Sequence, residues 1–514
     1  MTETLDSTLS TLDQVAAFFA AQGADVYLVG GSLRNLLLDE PCVDWDLVTG
    51  GEAHKLARRL AERLDGFYVH LHEKASRVVV RLPVGSEDLV LDIAPLHGAS
   101  LEEDLRARDF TLNALAAPLA PLVEQLARTG GINQVEMLID PLHGLDDVRQ
   151  RLLRPVDTGV FQRDPLRMLR ALRLARTYTL TLEHSTEKLL RRDATLLPQV
   201  AAERIHTELY TLLTGPGALD VLHGLDSYGL LTVLIPELLP TLGMRQPIPH
   251  YWDVMEHSLQ AVHYLEVLVA ALTASPDVPF APELAPTSES GEDLSAIREM
   301  LYEAEEQQIF HFTSLLAPNM KMAALLHDIG KPLTRTIDEQ GAIHFYNHPQ
   351  AGAPVASAIM RRLSASTFDC RLAQLIAAHH MRPGQLGQGS PLTPRAVRRY
   401  FVDLGPTGML VALFSLADHL ATLGPQPRTV AWTRHLSVVR QLLTSYIRER
   451  AKILPPRLVG ADELISRLKI TPGPLLGQLL EVIAGAQTDG TIHSREEAFL
   501  LAKEYVQAQK QDQD

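Results

Sequence analysis

Strand-forming runs crowd into the first ~115 residues and then all but stop, and this asymmetry limits what the chain can build. VYLVG, VDWDLV, RVVVRLPV and LVLDIAP alternate there with helical stretches, the pattern of a mixed α+β domain. From about Leu142 onward apolar residues recur at helical spacing, as in EKLLRRDATLLPQVAAERIHTELYTLLTG, which closes on Gly-Pro-Gly. PDVPFAPELAPTSESGEDLS (276–295) is rich in Pro, Ser and acid and reads as a flexible insertion near 275–296. A break at GPQPR follows Leu423, and the last segment is again helical, with PGP at 472–474. No internal repeat is visible. The expected fold class is therefore α+β: a small mixed-sheet head over 1–140, then a long, mostly all-α remainder. That remainder divides into a neck over 141–242, a domain over 243–425 and a helical tail over 426–514.

Composition narrows the function. Hydrophobic residues are 46% and charged residues 21% of the 514, enough to build globular cores. Two cysteines, Cys42 and Cys370, are too few for a disulfide framework or a Cys-based zinc site. The start, MTETLDSTLSTLDQ, lacks a basic n-region, and no uncharged apolar run approaches the ~20 residues that cross a bilayer. A cytoplasmic protein with no membrane partner is expected. The net charge of −15 argues against indiscriminate coating of nucleic acid. Residues 149–192 nevertheless hold eleven Arg/Lys against four Asp/Glu, a local +7 that points to an anionic partner bound at one place.

Two short stretches in the head carry chemistry. Strand alternation in VDWDLV puts Asp44 and Asp46 on one face and Val43, Trp45 and Leu47 on the other. Two carboxylates ~6.6 Å apart along a strand repel each other unless a cation sits between them. Paired divalent ions, here expected to be Mg²⁺, are how nucleotidyl and phosphoryl transfers are run. LVLDIA supplies a third carboxylate, Asp92, on the face of Val90. Upstream, VYLVGGSLRNLLLD is a strand running into Gly30 and Gly31, with Ser32 placed to cap a helix. Amides at such a turn bind phosphate, and Arg34 adds a charged fork. Neither G-x-G-x-x-G nor G-K-[ST] occurs, so Rossmann and P-loop readings do not apply. Taken singly, GG is a tight turn and DWD an exposed strand; their short spacing argues for a joint role.

GGSLRNLLLDEPCVDWD resembles the catalytic signature of tRNA nucleotidyltransferases and bacterial poly(A) polymerases, members of the DNA polymerase β superfamily. SLEEDLRARDFTLNALA (100–116) is similar to that family's arginine-aspartate element. The resemblance implies that Arg108 and Asp109 contact the nucleotide's sugar and phosphates. Asp109 and Asn113 are i,i+4 neighbours, expected on one helix face. Asn35 departs from the usual acidic residue, and Ala107 from an arginine.

FQRDPLRMLRALRLA (161–175) sets Asp164 and Arg167 at i,i+3, expected on one helix face with Pro165 in its first turn. An acceptor and a donor fork together imitate a Watson–Crick partner. Leu166, Leu169 and Leu172 give the helix a buried side, and Arg170 and Arg173 extend a basic surface. The bland alternative is a helix laced with ion pairs. In the resembling family the Asp-x-x-Arg pair selects C or A without a nucleic-acid template; Arg163 stands where those enzymes usually have Glu. VAAERIHTELYTLLTG (200–215) is similar to the family's neck.

The body holds a second constellation. The dyad His327–Asp328, expected within an apolar helix and closed by Gly330-Lys331-Pro332, is difficult to explain as packing. Imidazole and carboxylate suit Mn, Fe, Co, Ni or Zn. The order His257, His327-Asp328, Asp418 resembles the HD phosphohydrolase superfamily, with His348 and His379 or His380 for a second metal. His263 and His419, as lone helical histidines, receive no role. The resemblance implies removal of phosphates or opening of 2′,3′-cyclic phosphates, and RLVGADELISRLKITPGPLLG resembles the tail of the HD-containing long form.

Three functions compete: a tRNA 3′-end nucleotidyltransferase using CTP and ATP, a poly(A) polymerase, and an HD phosphohydrolase with a vestigial RNA-binding head. The intact Asp44, Asp46, Asp92, Arg108, Asp164 and Arg167 argue against the last. The mixed terminus AKEYVQAQKQDQD lacks the strongly basic tail of poly(A) polymerases. Only IAPLHGASLEEDLRAR separates the Asp92 strand from Asp109. This resembles the CC-adding subtype, which works beside a separate A-adding enzyme.

Overall fold

The computed structural model describes residues 2–42, 44–72, 75–82, 88–132, 135–275, 277–280, 284, 294–388, 392–426 and 430–511. The insertion expected at 276–295 lies mostly outside the described residues. The described chain forms two compact units, residues 1–200 with 228–230, and 201–227 with 231–514.

The first unit is built on six strands: β1 (Val26–Val29), β2 (Asp44–Thr49), β3 (Phe67–His72), β4 (Ala75–Val80), β5 (Leu89–Pro95) and β6 (Ala116–Pro118). Their order is β3-β4-β5-β2-β1-β6. β2 and β5 run parallel and the other pairs antiparallel, so the sheet is mixed and the fold class is α+β as expected. Alternation decides the faces: Trp45, Leu47, Val78, Leu91 and Ile93 are buried, and the helix Ala53–Arg63 packs over β4 and β5. Asp44, Asp46, Arg77 and Asp92 fall on the opposite face. The sequence pattern missed β3 and β6. FYVHLH leaves Phe67, Val69 and Leu71 exposed on an edge, so its apolar set marks no core. β6 is three residues long.

The second unit is helical, as expected, apart from a hairpin of Arg335–Ile337 and Ile343–Phe345. Its centre is the long helix Val254–Thr273, packed against Thr407–Leu423 and Pro318–Leu325. A buried ion pair ties this core together. The Lys321 ammonium donates to Glu266 at 2.6 Å and to the carbonyls of Leu213 and Gly215 at 2.7 and 2.5 Å, while Glu266 accepts from the amides of Gly217 and Ala218. The last ~60 residues have a core of their own, around Leu464, Leu479, Ile483 and Ala498. Among the described residues no single helix is long and apolar enough to cross a membrane; Pro394–Leu404 and Thr407–Leu423 pass that test only as a pair bent by 106°.

Candidate active sites

In the head, sheet register does what linear sequence could not show. Asp46 of β2 stands opposite Asp92 of β5, and Asp92 opposite Arg77 of β4. The Arg77 guanidinium donates to both Asp92 oxygens at 2.8 Å and reaches Asp44 at 3.3 Å. Arg77 was not singled out from the sequence. Its alternation with Ser76 and Val78 gives its face, but only strand pairing gives its partner.

Ser32 does not cap a helix. The helix Gly30–Leu37 starts two residues earlier, and the Ser32 hydroxyl lies between the two aspartates. It donates to the Asp44 carbonyl at 2.9 Å and accepts from the Asp46 amide at 2.6 Å, fixing the strand that carries both carboxylates. Gly30 adopts φ +64°, and a Cβ there would lie 2.8 Å from an Arg108 nitrogen and 3.5 Å from an Asp46 oxygen. The glycine thus admits Arg108 beside Asp46. Arg108 is aimed by Asp104, an acid the sequence reading passed over, through bonds of 3.1 and 2.9 Å. Burial pushes the Asp46 carboxyl up, and neighbouring Asp92 adds to it against Ser32 and Arg108. A carboxylate desolvated beside another suits a divalent cation, and the Asp44–Asp46 pair fits one.

Other expected nucleotide ligands are turned inward. Arg34 is 5% exposed and donates to Asn113 Oδ1 and Tyr178 Oη, each at 2.7 Å; it is no free phosphate fork here. Asp109 and Asn113 do not share a helix. The helix Leu101–Arg106 ends before them and a single turn, Thr111–Asn113, follows. Asn113 nevertheless donates to Asp109 at 3.0 Å, and Arg170 pairs with the other Asp109 oxygen at 2.9 Å. Burial alone would raise the Asp109 carboxyl; Arg170, Asn113 and the Phe110 amide outweigh it and hold it below the usual range. Arg34, Asn113, Asp109 and Arg170 form one polar chain.

Asp164 and Arg167 are also not on one continuous helix. Asp164 is extended at the end of Val160–Arg163, and a new helix, Arg167–Thr177, begins after Pro165, as the restriction on residues before proline requires. Asp164 Oδ1 accepts from the Leu166 amide at 3.3 Å. The Arg167 guanidinium donates to the carbonyls of Arg108 and Ala107 at 3.0 and 3.2 Å, which locks this segment to the arginine-aspartate element. Leu169 is buried and Leu172 only half so. Arg173, half-buried, sits one turn beyond Arg170. At least five of the eleven basic residues of the +7 segment are paired with acids of this chain: Arg149 with Asp146, Arg154 with Asp147, Arg163 with Asp157, Arg170 with Asp109, Arg192 with Asp193.

In the body, His327 and Asp328 lie not within the helix but in the turn after Pro318–Leu325. Chain reversal there, and not helical spacing, lets adjacent side chains face one centre. Gly330 permits it: a Cβ would fall 2.1 Å from the His348 carbonyl oxygen. His257 Nε2 is 3.0 Å from Asp418 Oδ1 and 3.3 Å from Asp328 Oδ2; His327 Nε2 is 3.1 Å from Asp328 Oδ2. His348 and His380 Nε2 face the other Asp328 oxygen at 3.2 and 3.6 Å. His379 stands apart, half-buried near Arg382 and Asp403, so His380 alone of that pair joins the cluster.

The hydrogen bonds fix which nitrogens face the centre. Nδ1 of His327, His348 and His380 donates to the carbonyls of Ala324, Phe345 and Ala377 at 2.8, 2.8 and 3.0 Å, which turns Nε2 of each inward. Asp328 Oδ1, the oxygen that faces His348 and His380, has no hydrogen-bond donor. Burial pulls the His327 imidazole down, but Asp328 and Asp418 outweigh it and push it up to about 10. The centre requires positive charge. Lys331 supplies one on Asp328 Oδ2; the converging nitrogens and oxygens fit one or two divalent metal ions.

Three stretches of the chain match known protein families. Residues 26–154 match the poly(A) polymerase head domain, 179–242 the probable RNA- and SrmB-binding site of polymerase A, and 310–422 the HD domain. A CC-adding tRNA nucleotidyltransferase of Thermus thermophilus is 32% identical over 93% of each chain. The chain belongs to the tRNA nucleotidyltransferase family. An A-adding member from Deinococcus radiodurans is 30% identical over 93% of this chain and 95% of its own. Among solved structures, a CCA-adding enzyme in an apo form has TM-score 0.59 at 18% identity, covering 98% of this chain and 95% of its own. The Thermotoga maritima CCA-adding enzyme complexed with tRNA has TM-score 0.53 at 19% identity, covering 96% and 94%. Both share the fold of this tRNA nucleotidyltransferase. Enzymes of this class work with divalent metal in the head and in the HD domain.

Proposed function

We propose that the head adds cytidine nucleotides from CTP to the 3′ end of tRNA, stops after CC, and leaves the terminal A to a separate enzyme. The observation that carries the first part is the Asp44–Asp46 pair on one strand face, beside the Gly30 turn and Arg108. Magnesium held by Asp44 and Asp46, when bound, acidifies the attacking hydroxyl and neutralises charge on the phosphates. Asp92, held by Arg77, sits at the same edge as the third acid. The 3′-hydroxyl oxygen of the RNA bonds to the α-phosphorus, the bond to diphosphate breaks, and the hydroxyl proton passes to solvent. Arg108 meets the nucleotide's phosphates, Asp164 offers the acceptor that reads the base, and Arg167 reads it with the N–H groups not spent on the Arg108 and Ala107 carbonyls.

The stop after CC is supported by the segment that follows β5. His97 N–H donates to Asp104 at 2.9 Å, Ala99 N–H to Glu103 at 2.8 Å, and Ser100 caps the Glu103 amide at 3.2 Å. A pinned turn has no slack to reorient the reading helix for a larger base, and losing such a lever costs no contact to C. Incubating tRNA lacking its 3′ end with each nucleoside triphosphate, singly and together, and sequencing the products tests this. Addition of A to tRNA ending in CC, at a rate near that of C, overturns the CC limit; failure to add C overturns the whole assignment.

For the body the reading is metal-dependent hydrolysis of phosphate esters, with His257, His327, Asp328, Asp418, His348 and His380 as ligands for Mn, Ni, Co, Fe or Zn. Asp328, presenting one oxygen to His257 and His327 and the other to His348 and His380, would hold metal together with both groups.

A further inference from the structure

The edge strand β3 is built inside out. A strand with one solvated face normally turns its polar residues outward. Here Tyr68 and His70 fall on the face covered by the helix Ala53–Arg63. The Tyr68 hydroxyl lies 3.2 Å from Ser76 Oγ, the Arg58 guanidinium sits 5.2 Å from the Tyr68 ring, and His54 packs 5.1 Å from His70. Phe67 and Val69 turn the other way, 53% and 44% exposed. A slip of one residue would turn them toward the helix, so the pairing with β4 holds an apolar face open to solvent.

Register shows where that face leads. Val69, Arg77, Asp92 and Asp46 are partners in one row across β3, β4, β5 and β2. Phe67, Val79, Val90 and Asp44 form the next row on the same face. Val79 and Val90 are half-buried, so an apolar strip runs from Phe67 to Asp44 over three strand spacings, roughly 14 Å. Arg81 is exposed, with its guanidinium 5.2 Å from the Phe67 ring. An exposed aromatic beside a cation suits single-stranded nucleic acid, base on ring and phosphate on charge.

The sheet order decides which substrate lies there. The acid-bearing strands β2 and β5 stand between β1 on one side and β4 and β3 on the other. On the nucleotide-adding reading of the head, the triphosphate meets Gly30 and Arg108, at the end of β1. In phosphoryl transfer the attacking and leaving oxygens lie in line, on opposite sides of phosphorus. Diphosphate leaving on the β1 side puts the attacking RNA hydroxyl on the β3 side.

We propose that the strip receives the 3′ end of the RNA, with the last base over Val79 and Val90, the next-to-last stacked on Phe67, and a backbone phosphate on Arg81. The proposal rests on the nucleotide-adding reading of the head.

The test uses full-length protein, Mg²⁺, CTP and a tRNA already carrying one C, whose next-to-last base is unpaired. Phe67→Ser, at an exposed position, should leave the melting temperature unchanged. It should raise KM for this tRNA about tenfold and leave KM for CTP alone, and Phe67→Trp should keep the wild-type values. Removing the next-to-last base from the tRNA should raise KM equally in wild type and add nothing in Phe67→Ser. Arg81→Gln should weaken the salt dependence of KM by about one phosphate contact, ~0.7 in the log–log slope. Independently of turnover, 2-aminopurine at the next-to-last position should be quenched by wild type and Phe67→Trp, and not by Phe67→Ser. Unchanged KM and intact quenching in Phe67→Ser overturn the strip while nucleotide addition stands. Absence of C addition by wild type overturns the nucleotide-adding reading, and quenching that depends on Phe67 would still place RNA on the strip. If Phe67→Ser instead splits a dimer in light scattering and leaves KM alone, the face joins two copies of the chain and the RNA assignment falls.

Discussion

The head and the body each gather acidic side chains around a place suited to metal, and they do so in opposite ways. The head sets three carboxylates on an open sheet face, where the Asp44 side chain is 46% exposed and the cation in contact is an arginine. The body encloses four histidines and two aspartates; the His327 side chain is fully buried and Asp328 is 2% exposed. Three of its four imidazoles are anchored through Nδ1 to backbone carbonyls. An open site of hard oxygen ligands needs its substrate to complete the coordination. A closed site of imidazoles has its protein ligands held in place before substrate arrives. One chain thus carries a site assembled by binding and a site assembled by folding.

If the two are independent, single substitutions should separate them, and these are the largest effects expected. Asp44→Ala should lower nucleotide addition at least a thousandfold, roughly 4 kcal/mol of barrier, with hydrolysis by the body unchanged. Asp328→Ala should do the reverse. Parallel assays of both activities on both variants check this. Loss of both activities in either variant would break the comparison.

The closed site also depends on the scaffold around it. Lys321→Met should leave Glu266 buried without its counter-ion, a loss of about 3–5 kcal/mol, because the partner charge stays desolvated. Denaturant unfolding should show this in the body's transition, with the nucleotide-addition rate of still-folded protein preserved. A shift below 1 kcal/mol would mean that water reaches Glu266.

A smaller effect tests how the open site is held. Ser32→Ala removes the hydroxyl between the Asp44 carbonyl and the Asp46 amide, worth about 1 kcal/mol of stability. Nucleotide addition should fall about tenfold as the strand carrying both acids loosens. An unchanged rate would show that sheet pairing alone fixes the carboxylates.

The sequence showed these two regions unevenly, for physical reasons. The faces of β2 and β5 were legible because strand alternation is strict, and the HD order was legible because His and Asp are rare in apolar surroundings. Register was not legible: nothing local says that Arg77 faces Asp92, which depends on pairing strands across a turn. Helix continuity was overestimated at Asp164, where Pro165 divides two helices, and at Asp109 and His327-Asp328, where spacing suggested one helix and the chain makes turns. The inward rotation of Arg34 depends on Tyr178, 144 residues away. Choosing His380 over His379 required knowing which way the last turn of the helix Thr367–His379 faces.

The smallest expected effect bears on why the open site holds an arginine at all. Arg77 places positive charge 2.8 Å from Asp92 and 3.3 Å from Asp44, where it lowers the negative potential that attracts magnesium. Its half-exposed position means the interaction is screened, so one unit charge at this range is worth about 1 kcal/mol. Replacing it by glutamine keeps much of the side chain's reach and hydrogen bonding while removing the charge. The magnesium concentration for half-maximal nucleotide addition should then fall about fivefold, the equivalent of that energy. The maximal rate should fall too, since Asp92 loses the fork that orients it. If the magnesium requirement rose instead, Arg77 would be helping the carboxylates into position for the metal more than it competes with it. The head would then resemble the body, prebuilt by its own side chains, and the contrast between the sites would narrow to one of exposure.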